Sequence, residues 1–304
     1  MTATRFETFF AAPHTGAQGS RLFLWHAPSQ APVHALVVYV HPFAEEMNKA
    51  RHMAALQSRK LAEAGCAVLQ VDLLGCGDSS GDFAQATWPA WIDDVVAACG
   101  HARALHARDW PDSPAPALWL WGLRAGCLLA AEAAARINGG CNLLFWQPTL
   151  QGKAVLQQFL RLKTAAALIG KPVDPKAEPP RQRLAAGHTV TVAGYELGPE
   201  LAQGLDAARL LPPLHGGRLE WIELAMRNDG ALSPAAVSAM PAWQQAGWLV
   251  RQQAVFGPHF WQTTEIELAP ELLEATVQAL GADAPARRSH GCLAPRATAL
   301  ANAR

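Results

Sequence analysis

Short apolar runs alternate with amphipathic stretches along the first half of the chain. The runs are bounded by Gly, Pro, Asp and Ser, which is typical of buried β-strands. They predict strands at 21–26, 35–41, 67–73, 117–123 and 142–147. The stretches between the runs predict helices at 53–64, 88–108 and 124–137. Near-continuous apolar strands joined by helices favour an α/β fold with a mostly parallel central sheet and helices on both faces.

This alternation stops after Pro148. The following segment contains two predicted helices, a Pro-rich linker and one isolated strand-like run at 188–193. Strand and helix patterns then resume at 218–224, 234–246, 250–255 and 270–280. We therefore expect a core made of residues 1–150 and 212–280, with residues 151–211 as an insertion. The Ala-, Arg- and Pro-rich residues 281–304 lack apolar periodicity and are expected to form a disordered tail.

Composition narrows the class of protein. The chain has 304 residues, of which 50% are hydrophobic, and its 25 Lys and Arg balance 25 Asp and Glu. This balance argues against a nucleic-acid binder, which would need a basic surplus. The chain contains no apolar run of about 18 residues, so we expect no membrane span. It also lacks the pattern of a secretory signal peptide.

The six cysteines are scattered and form neither a disulfide framework nor a metal-binding pattern. In a chain of this length, such cysteines are typical of buried thiols in a cytoplasmic protein. The sequence therefore predicts no metal and no cofactor.

Four predicted strands end in segments that carry polar chemistry. These segments are His41–Glu46 (HPFAEE), Asp72–Ser79 (DLLGCGDS), Gly122–Gly126 (GLRAG) and Phe256–Trp261 (FGPHFW). In an open parallel sheet, ligands bind beyond the carboxyl ends of the strands. We therefore expect these four segments to line one site.

The order and spacing of the four segments resemble the α/β-hydrolase superfamily. The blocks HPFAEEMNKAR, WGLRAG and FGPHFWQT more narrowly resemble the exosortase A system-associated hydrolase 2 group, which belongs to bacterial loci for exopolysaccharide production and exosortase-dependent sorting. This resemblance covers roughly residues 22–280. It implies an oxyanion turn at His41–Phe43, with the backbone N–H groups of Phe43 and Ala125 as oxyanion donors, and a catalytic base at His259. It also implies that the inserted residues 151–211 form a cap.

The family's nucleophile elbow reads G-x-S-x-G, whereas this chain has Gly122-Leu123-Arg124-Ala125-Gly126. Both glycines that permit the sharp turn are present, but Arg124 stands at the position of the nucleophile. A guanidinium stays protonated and cannot attack a carbonyl carbon, so serine-based catalysis is closed at this position.

Two interpretations of Arg124 remain open. Arg124 and the N-terminus of the following helix form an anion-binding clamp, or Arg124 pairs with a nearby acid and plugs the pocket. The candidate acids for such a pair are Glu45, Glu46 and Asp229. Glu45 and Glu46 belong to a charge cluster that is either a solvated helix face or, together with Asp78, the rim of a pocket for a polar substrate.

Residues for acid–base chemistry are harder to assign. As a base, His259 needs an acidic partner. Asp229 stands at one of the two positions where the family carries this acid, and the other position holds Gln147. His259 is therefore either a base or a hydrogen-bonded pocket residue. Cys127 lies one helical turn beyond Arg124 and is expected to be buried, while Ser79 and Ser80 are expected to form turns.

Three functions follow from these observations. The first is a binder of an anionic, acyl or sugar ligand at Arg124 that lacks the serine nucleophile. The second is an active ester or acyl hydrolase that uses a non-standard nucleophile, or water with His259. The third is a scaffold that binds protein partners in the same pathway.

Overall fold

The computed structural model describes residues 4–13, 19–169, 178–227 and 230–281. Within these residues, eight strands form one sheet in the order β1-β2-β4-β3-β5-β6-β9-β10. β1 and β2 are antiparallel to their neighbours, while the six strands from β4 to β10 run parallel. Their bounds are β1 Thr4–Ala11, β2 Arg21–Pro28, β3 Ala35–Val40, β4 Ala67–Val71, β5 Ala117–Leu123, β6 Asn142–Trp146, β9 Gly217–Ala225 and β10 Trp248–Phe256.

Helices cover both faces of the sheet. The bounds of the eight described α-helices are α1 Glu45–Glu63, α2 Trp88–Asp109, α3 Gly126–Ala134, α4 Gly152–Ile169, α5 Pro180–Ala185, α6 Pro199–Ala207, α7 Pro234–Gln245 and α8 Pro270–Gly281. Buried side chains of α2, α3 and α7 join one apolar core, and those of α1 and α8 join a second. The predicted architecture of a mostly parallel sheet with helices on both faces is therefore confirmed.

The segment between β6 and β9 lies against the carboxyl edge of the sheet. It contains α4, α5, α6 and a small hairpin of β7 (Val190–Val192) and β8 (Tyr195–Leu197). Phe159 of α4 packs edge-to-face on Phe43 at 5.1 Å, and the Tyr195 hydroxyl accepts a hydrogen bond from Asn48 at 2.8 Å. The sequence predicted two helices and one lone strand here, and that prediction was wrong. The run at 188–193 instead pairs with the strand that follows it.

Two other elements differ from the sequence-based prediction. β1 was missed because its side chains are mostly exposed, so that its alternation does not mark a buried face. α1 begins at Glu45 and not at Met53, because its first two turns are polar and carry little apolar periodicity. Two acids in its first turn nevertheless suit the positive end of the helix dipole.

Five cysteines are buried free thiols, as predicted: Cys66, Cys76, Cys99, Cys127 and Cys141. Cys292 and all of the expected tail except Gly281 lie outside the described residues. No helix in the described ranges is long and apolar enough to cross a membrane.

Candidate functional site

The turn between β5 and α3 is sharp, and Arg124 stands at its tip. Arg124 has a φ of +56°, in the left-handed region that non-glycine residues rarely adopt. A Cβ on Gly122 would lie 2.7 Å from the backbone nitrogen of Cys127, and one on Gly126 would lie 2.2 Å from the carbonyl oxygen of Val40. Both glycines are therefore needed for the turn to close and for α3 to begin directly against the end of β3.

The segment after β3 is held by His41. The buried His41 ring donates from Nδ1 to the Pro42 carbonyl oxygen at 2.8 Å, and its Nε2 accepts from the Leu73 N–H at 3.4 Å. This pair of hydrogen bonds requires the neutral Nδ1–H tautomer. Burial lowers the pKa of His41, which also favours the neutral ring. His41 thus fixes the backbone that leads to Phe43.

Two backbone donors lie at these adjoining turns. The N–H groups of Phe43 and Ala125 have no partner among the hydrogen bonds of the described chain. Most backbone N–H groups in folded proteins are paired, so unpaired donors at the start of a helix are suited to an anion or a polarised carbonyl oxygen. The close approach of Gly126 to Val40 and His41 brings the two turns together.

The Arg124 side chain is mostly buried, with 15% of it exposed. Its Nε lies 3.4 Å from Oε1 of Glu46, and its Nη2 donates to Oε1 of Gln158 at 3.4 Å. The guanidinium carbon also lies 5.6 Å from the centre of the Trp261 ring, in cation–π contact. Arg124 therefore pairs with one of the three acids that the sequence offered as partners.

Glu46 is buried, so the interpretation of the charge cluster as a solvated face is wrong for this residue. Burial raises the pKa of Glu46 to about 7, against the opposing effect of Arg124. Burial also raises the pKa of the neighbouring Glu45, which is half-buried. One oxygen of each carboxyl group, Oε2, is buried and has no hydrogen-bond partner among the described atoms.

His259 lies on the loop after β10 and stacks on Trp261 with 4.9 Å between the ring centres. Its Nε2 lies 3.3 Å from the carbonyl oxygen of Leu224. Its expected acidic partner, Asp229, lies outside the described residues. At the other usual place for the acid, Gln147 accepts a hydrogen bond from the Leu224 N–H at 2.7 Å and so joins β6 to β9.

The remaining candidates lie apart from Arg124 or are chemically inert. Burial raises the pKa of the Cys127 thiol well above its usual range, so this group stays protonated. Asp78 is exposed on the loop after β4 and donates its backbone N–H to Asp72 at 3.1 Å. Ser79 and Ser80 bond the backbone of residues 20–22 and 72, as turn residues do. The described residues contain no group of three or more His, Cys, Asp or Glu that could hold a metal ion.

The structure thus brings together Phe43, Glu46, Arg124 and Ala125 from two turns that are distant in sequence. The sequence did not identify Gln158 as part of this site. No local signal marks it, since it is one polar residue on a helix of the inserted segment. The block FGPHFWQT contains Trp261, but the block alone does not show that this ring lies in cation–π contact with Arg124.

No protein-family model and no curated protein sequence matches this chain. Its structure is similar to several solved structures of hydrolases. Est1E from Butyrivibrio proteoclasticus is 17% identical, with a TM-score of 0.55, over 90% of this chain and 96% of that one. A putative hydrolase from Agrobacterium vitis is 14% identical, with a TM-score of 0.55, over 92% and 99%. A thermostable carboxyl esterase from Bacillus coagulans is 15% identical, with a TM-score of 0.56, over 93% and 99%.

Likeness at this low identity establishes architecture and not activity. Three features of this chain agree with that architecture: the strand order, the antiparallel pairing of the first two strands and the sharp turn after β5. We conclude that this chain has the α/β-hydrolase fold.

Proposed function

We propose that this protein binds an anionic or acyl ligand at Arg124 and does not carry out serine-based turnover. One observation carries the proposal: Arg124 stands at the elbow of two adjoining turns, and the N–H groups of Phe43 and Ala125 in these turns have no hydrogen-bond partner in the described chain. A guanidinium and backbone N–H groups together form a strong binding set for an anion. The only thiol on this turn, Cys127, is buried and protonated, so it does not replace the missing serine.

The inserted residues 151–211 act as a cap over this ligand. Gln158 contacts the guanidinium, and Phe159 packs on the ring of Phe43, so that α4 closes one side of the site. The apolar rings of Phe43 and Phe159 near the Arg124 cation suit a ligand that has a charged group at one end and an apolar or mixed remainder.

The protein acts in the bacterial cytoplasm, within exopolysaccharide production and exosortase-dependent sorting. This assignment is supported by the resemblance of the blocks at 41–51, 121–126 and 256–263 to the exosortase A system-associated hydrolase 2 group. The unpaired cysteines of the described chain suit a reducing compartment.

Ligand binding is tested with hexanoate and its neutral counterpart hexanamide, by calorimetric titration at pH 6. We expect the wild type to bind hexanoate, and Arg124→Met to bind it about tenfold to a hundredfold more weakly, because a charge-assisted hydrogen bond is lost. Arg136→Met is the matched control, since Arg136 pairs with Asp93 on the surface. Equal binding of hexanoate by wild type and Arg124→Met would overturn the clamp.

A second candidate function, water-based ester hydrolysis with His259, is favoured by the same pair of free N–H groups, which is what an oxyanion needs. A screen of p-nitrophenyl esters with wild type, His259→Ala and Cys127→Ala separates the two functions. Turnover that is abolished in His259→Ala and retained in Cys127→Ala would establish the hydrolase and remove the binder. Labelling of the wild type by a fluorophosphonate would reveal a serine nucleophile and contradict both.

A further inference from the structure

The carboxyl group of Glu46 lacks half of its hydrogen bonds. Glu46 is only 6% exposed, and its Oε1 lies 3.4 Å from Arg124 Nε while Oε2 has no partner among the described atoms. Buried polar atoms in folded proteins nearly always have a partner, so an exception needs an explanation, of which a functional role is one. This orphan oxygen belongs to the one carboxyl group that is in contact with Arg124 in the described chain.

The contact between Glu46 and Arg124 is also weak. Charge-assisted N–H···O bonds are usually about 2.7–2.9 Å long and often bidentate. Here Arg124 Nε alone approaches one carboxyl oxygen, at 3.4 Å, and Arg124 Nη2 donates to the neutral side chain of Gln158 at the same distance. Another anion with better geometry can therefore replace Glu46 as the partner of the guanidinium.

The charges around Glu46 limit which protonation states are possible. Arg124 faces it from the β5–α3 turn, and Glu45 and Lys49 lie on its own helix. Gln158 on α4 is uncharged, and Lys49 donates to the carbonyl oxygen of Gln262. A bound anion would share one guanidinium with a charged Glu46, and the side chains of both residues are largely buried. Like charges at such close range strongly disfavour this state.

We propose that the ligand at Arg124 is a carboxylate that displaces Glu46 from the guanidinium, and that Glu46 takes up one proton from solvent as the ligand binds. The net charge of the site is then unchanged, since the ligand replaces one negative charge by another. The neutral Glu46 gains an O–H that can donate to the ligand. A phosphate group is doubly charged above its second pKa of about 6 and would then not conserve this charge, whereas a carboxylate stays singly charged across the range from pH 6 to pH 8.5.

This inference rests on the proposed binding function and has a thermodynamic signature. Below about pH 7, Glu46 of the free protein already carries the proton, so hexanoate affinity is expected to be independent of pH. Above pH 7, each binding event must take up a proton. The affinity is then expected to fall about tenfold per pH unit.

Calorimetric titration of hexanoate into the full chain, between pH 6 and pH 8.5 and in both Hepes and Tris, measures affinity and proton uptake together. We expect the wild type to take up close to one proton per hexanoate at pH 8.5 and almost none at pH 6. Glu46→Gln is expected to bind hexanoate with an affinity that does not depend on pH and without proton uptake.

Glu132→Gln is the matched control. Glu132 is another half-buried carboxyl group whose pKa is raised by burial, but it accepts a hydrogen bond from Trp88 on α2, away from Arg124. This variant should keep the wild-type pH profile. A loss of the profile in Glu132→Gln would mean that proton uptake is not specific to Glu46, and would overturn the inference.

The outcomes separate this inference from the binding function beneath it. Binding of hexanoate that depends on Arg124 but involves no proton uptake at pH 8.5 overturns the role of Glu46 and leaves the clamp intact. Tighter Arg124-dependent binding of inorganic phosphate than of hexanoate overturns the carboxylate class alone. Absence of hexanoate binding to both wild type and Glu46→Gln at pH 6 removes the clamp itself.

Discussion

Two arginine–carboxylate pairs near the carboxyl edge of the sheet are built in opposite ways. Arg21 donates from Nε to Oδ2 of Asp94 at 2.8 Å, and the same oxygen accepts the N–H of Leu74 at 2.8 Å. Arg124 and Glu46 meet at 3.4 Å, and one oxygen of Glu46 has no partner in the described chain. Both carboxyl groups are buried, and burial raises the pKa of each, so the main difference between the two pairs is in their hydrogen bonds.

The difference separates a structural pair from an exchangeable one. The Arg21–Asp94 pair joins β2 and the loop after β4 to α2, and its geometry leaves little for a ligand to improve. The Arg124–Glu46 pair spans the two turns of the candidate site and leaves hydrogen-bonding capacity unused. A buried ion pair whose bonds are complete resists the removal of either partner, whereas an incomplete one is suited to exchange partners.

The largest expected effect is on the complete pair. Asp94→Ala should lower the free energy of unfolding by about 3–5 kcal/mol, because it leaves the Arg21 guanidinium buried without its counter-charge. Urea denaturation at pH 7 measures this loss. Asp94→Asn, which keeps an acceptor for the Leu74 N–H, should lose less. A loss below about 1 kcal/mol in Asp94→Ala would show that the Arg21–Asp94 pair is no more structural than a surface pair.

The next effect concerns the dependence of stability on pH. Glu46 has a pKa of about 7 in the folded chain, against an ordinary value of 4.5. The contribution of protonated Glu46 to the free energy of unfolding is therefore complete below pH 4.5 and is lost as the pH rises through 7. Between pH 4.5 and pH 8, the wild type should lose up to roughly 3 kcal/mol of unfolding free energy relative to Glu46→Gln. Parallel stability profiles would contradict the burial of a titrating Glu46, and the exposed Glu196→Gln should run parallel to wild type.

A smaller loss is expected when the turn that carries Arg124 is crowded. In Gly126→Ala the new Cβ would meet the Val40 carbonyl oxygen at 2.2 Å, so the backbone must shift, at a cost of about 1–3 kcal/mol. Gly100→Ala is the matched control, because Gly100 lies on α2 and a Cβ at this position would meet nothing within 4 Å. That change should stabilise the protein by about 0.5–1 kcal/mol. Thermal and urea unfolding would show whether the two substitutions act in opposite directions.

The smallest expected effect is the loss of an exposed ion pair, with which the two buried pairs can be compared. Arg136 and Asp93 form an ion pair at 2.9 Å in which each side chain is about half exposed. Asp93→Asn should change the unfolding free energy by about 0–1 kcal/mol, because solvent and salt screen the pair. Unfolding at low and high salt measures this screening. A loss as large as that of Asp94→Ala would erase the distinction between exposed and buried pairs.

The sheet and the elbow could be predicted because each depends on residues that are close together in the sequence. Continuous apolar strands have few ways to be buried other than a parallel sheet between helices. Gly122 and Gly126 mark a turn that other residues cannot close, and Arg124 between them removes the hydroxyl chemistry of the family motif. β1 was missed because an exposed edge strand shows no buried pattern.

The partners of Arg124 could not be predicted in the same way. Three acids were candidates from the sequence, of which Asp229 lies outside the described residues. Between Glu45 and Glu46, the packing of α1 against the β5–α3 turn brings Glu46 to the guanidinium and buries it. Gln158 comes from the inserted segment, which no motif marks. Whether a carboxyl group keeps its proton depends on its distance from water and from other charges, and those distances exist only in the folded chain.

The sequence by itself thus determined the fold class, the order of the parallel strands along the chain and the presence of a fixed positive charge at the elbow. The tertiary structure decided the surroundings of that charge: a long contact to Glu46, a cation–π contact with Trp261, and two N–H donors of the adjoining turns that have no partner in the described chain. The physical reason is that backbone conformation follows local residue patterns, whereas the ionisation and pairing of a buried group follow from contacts between residues far apart in the chain.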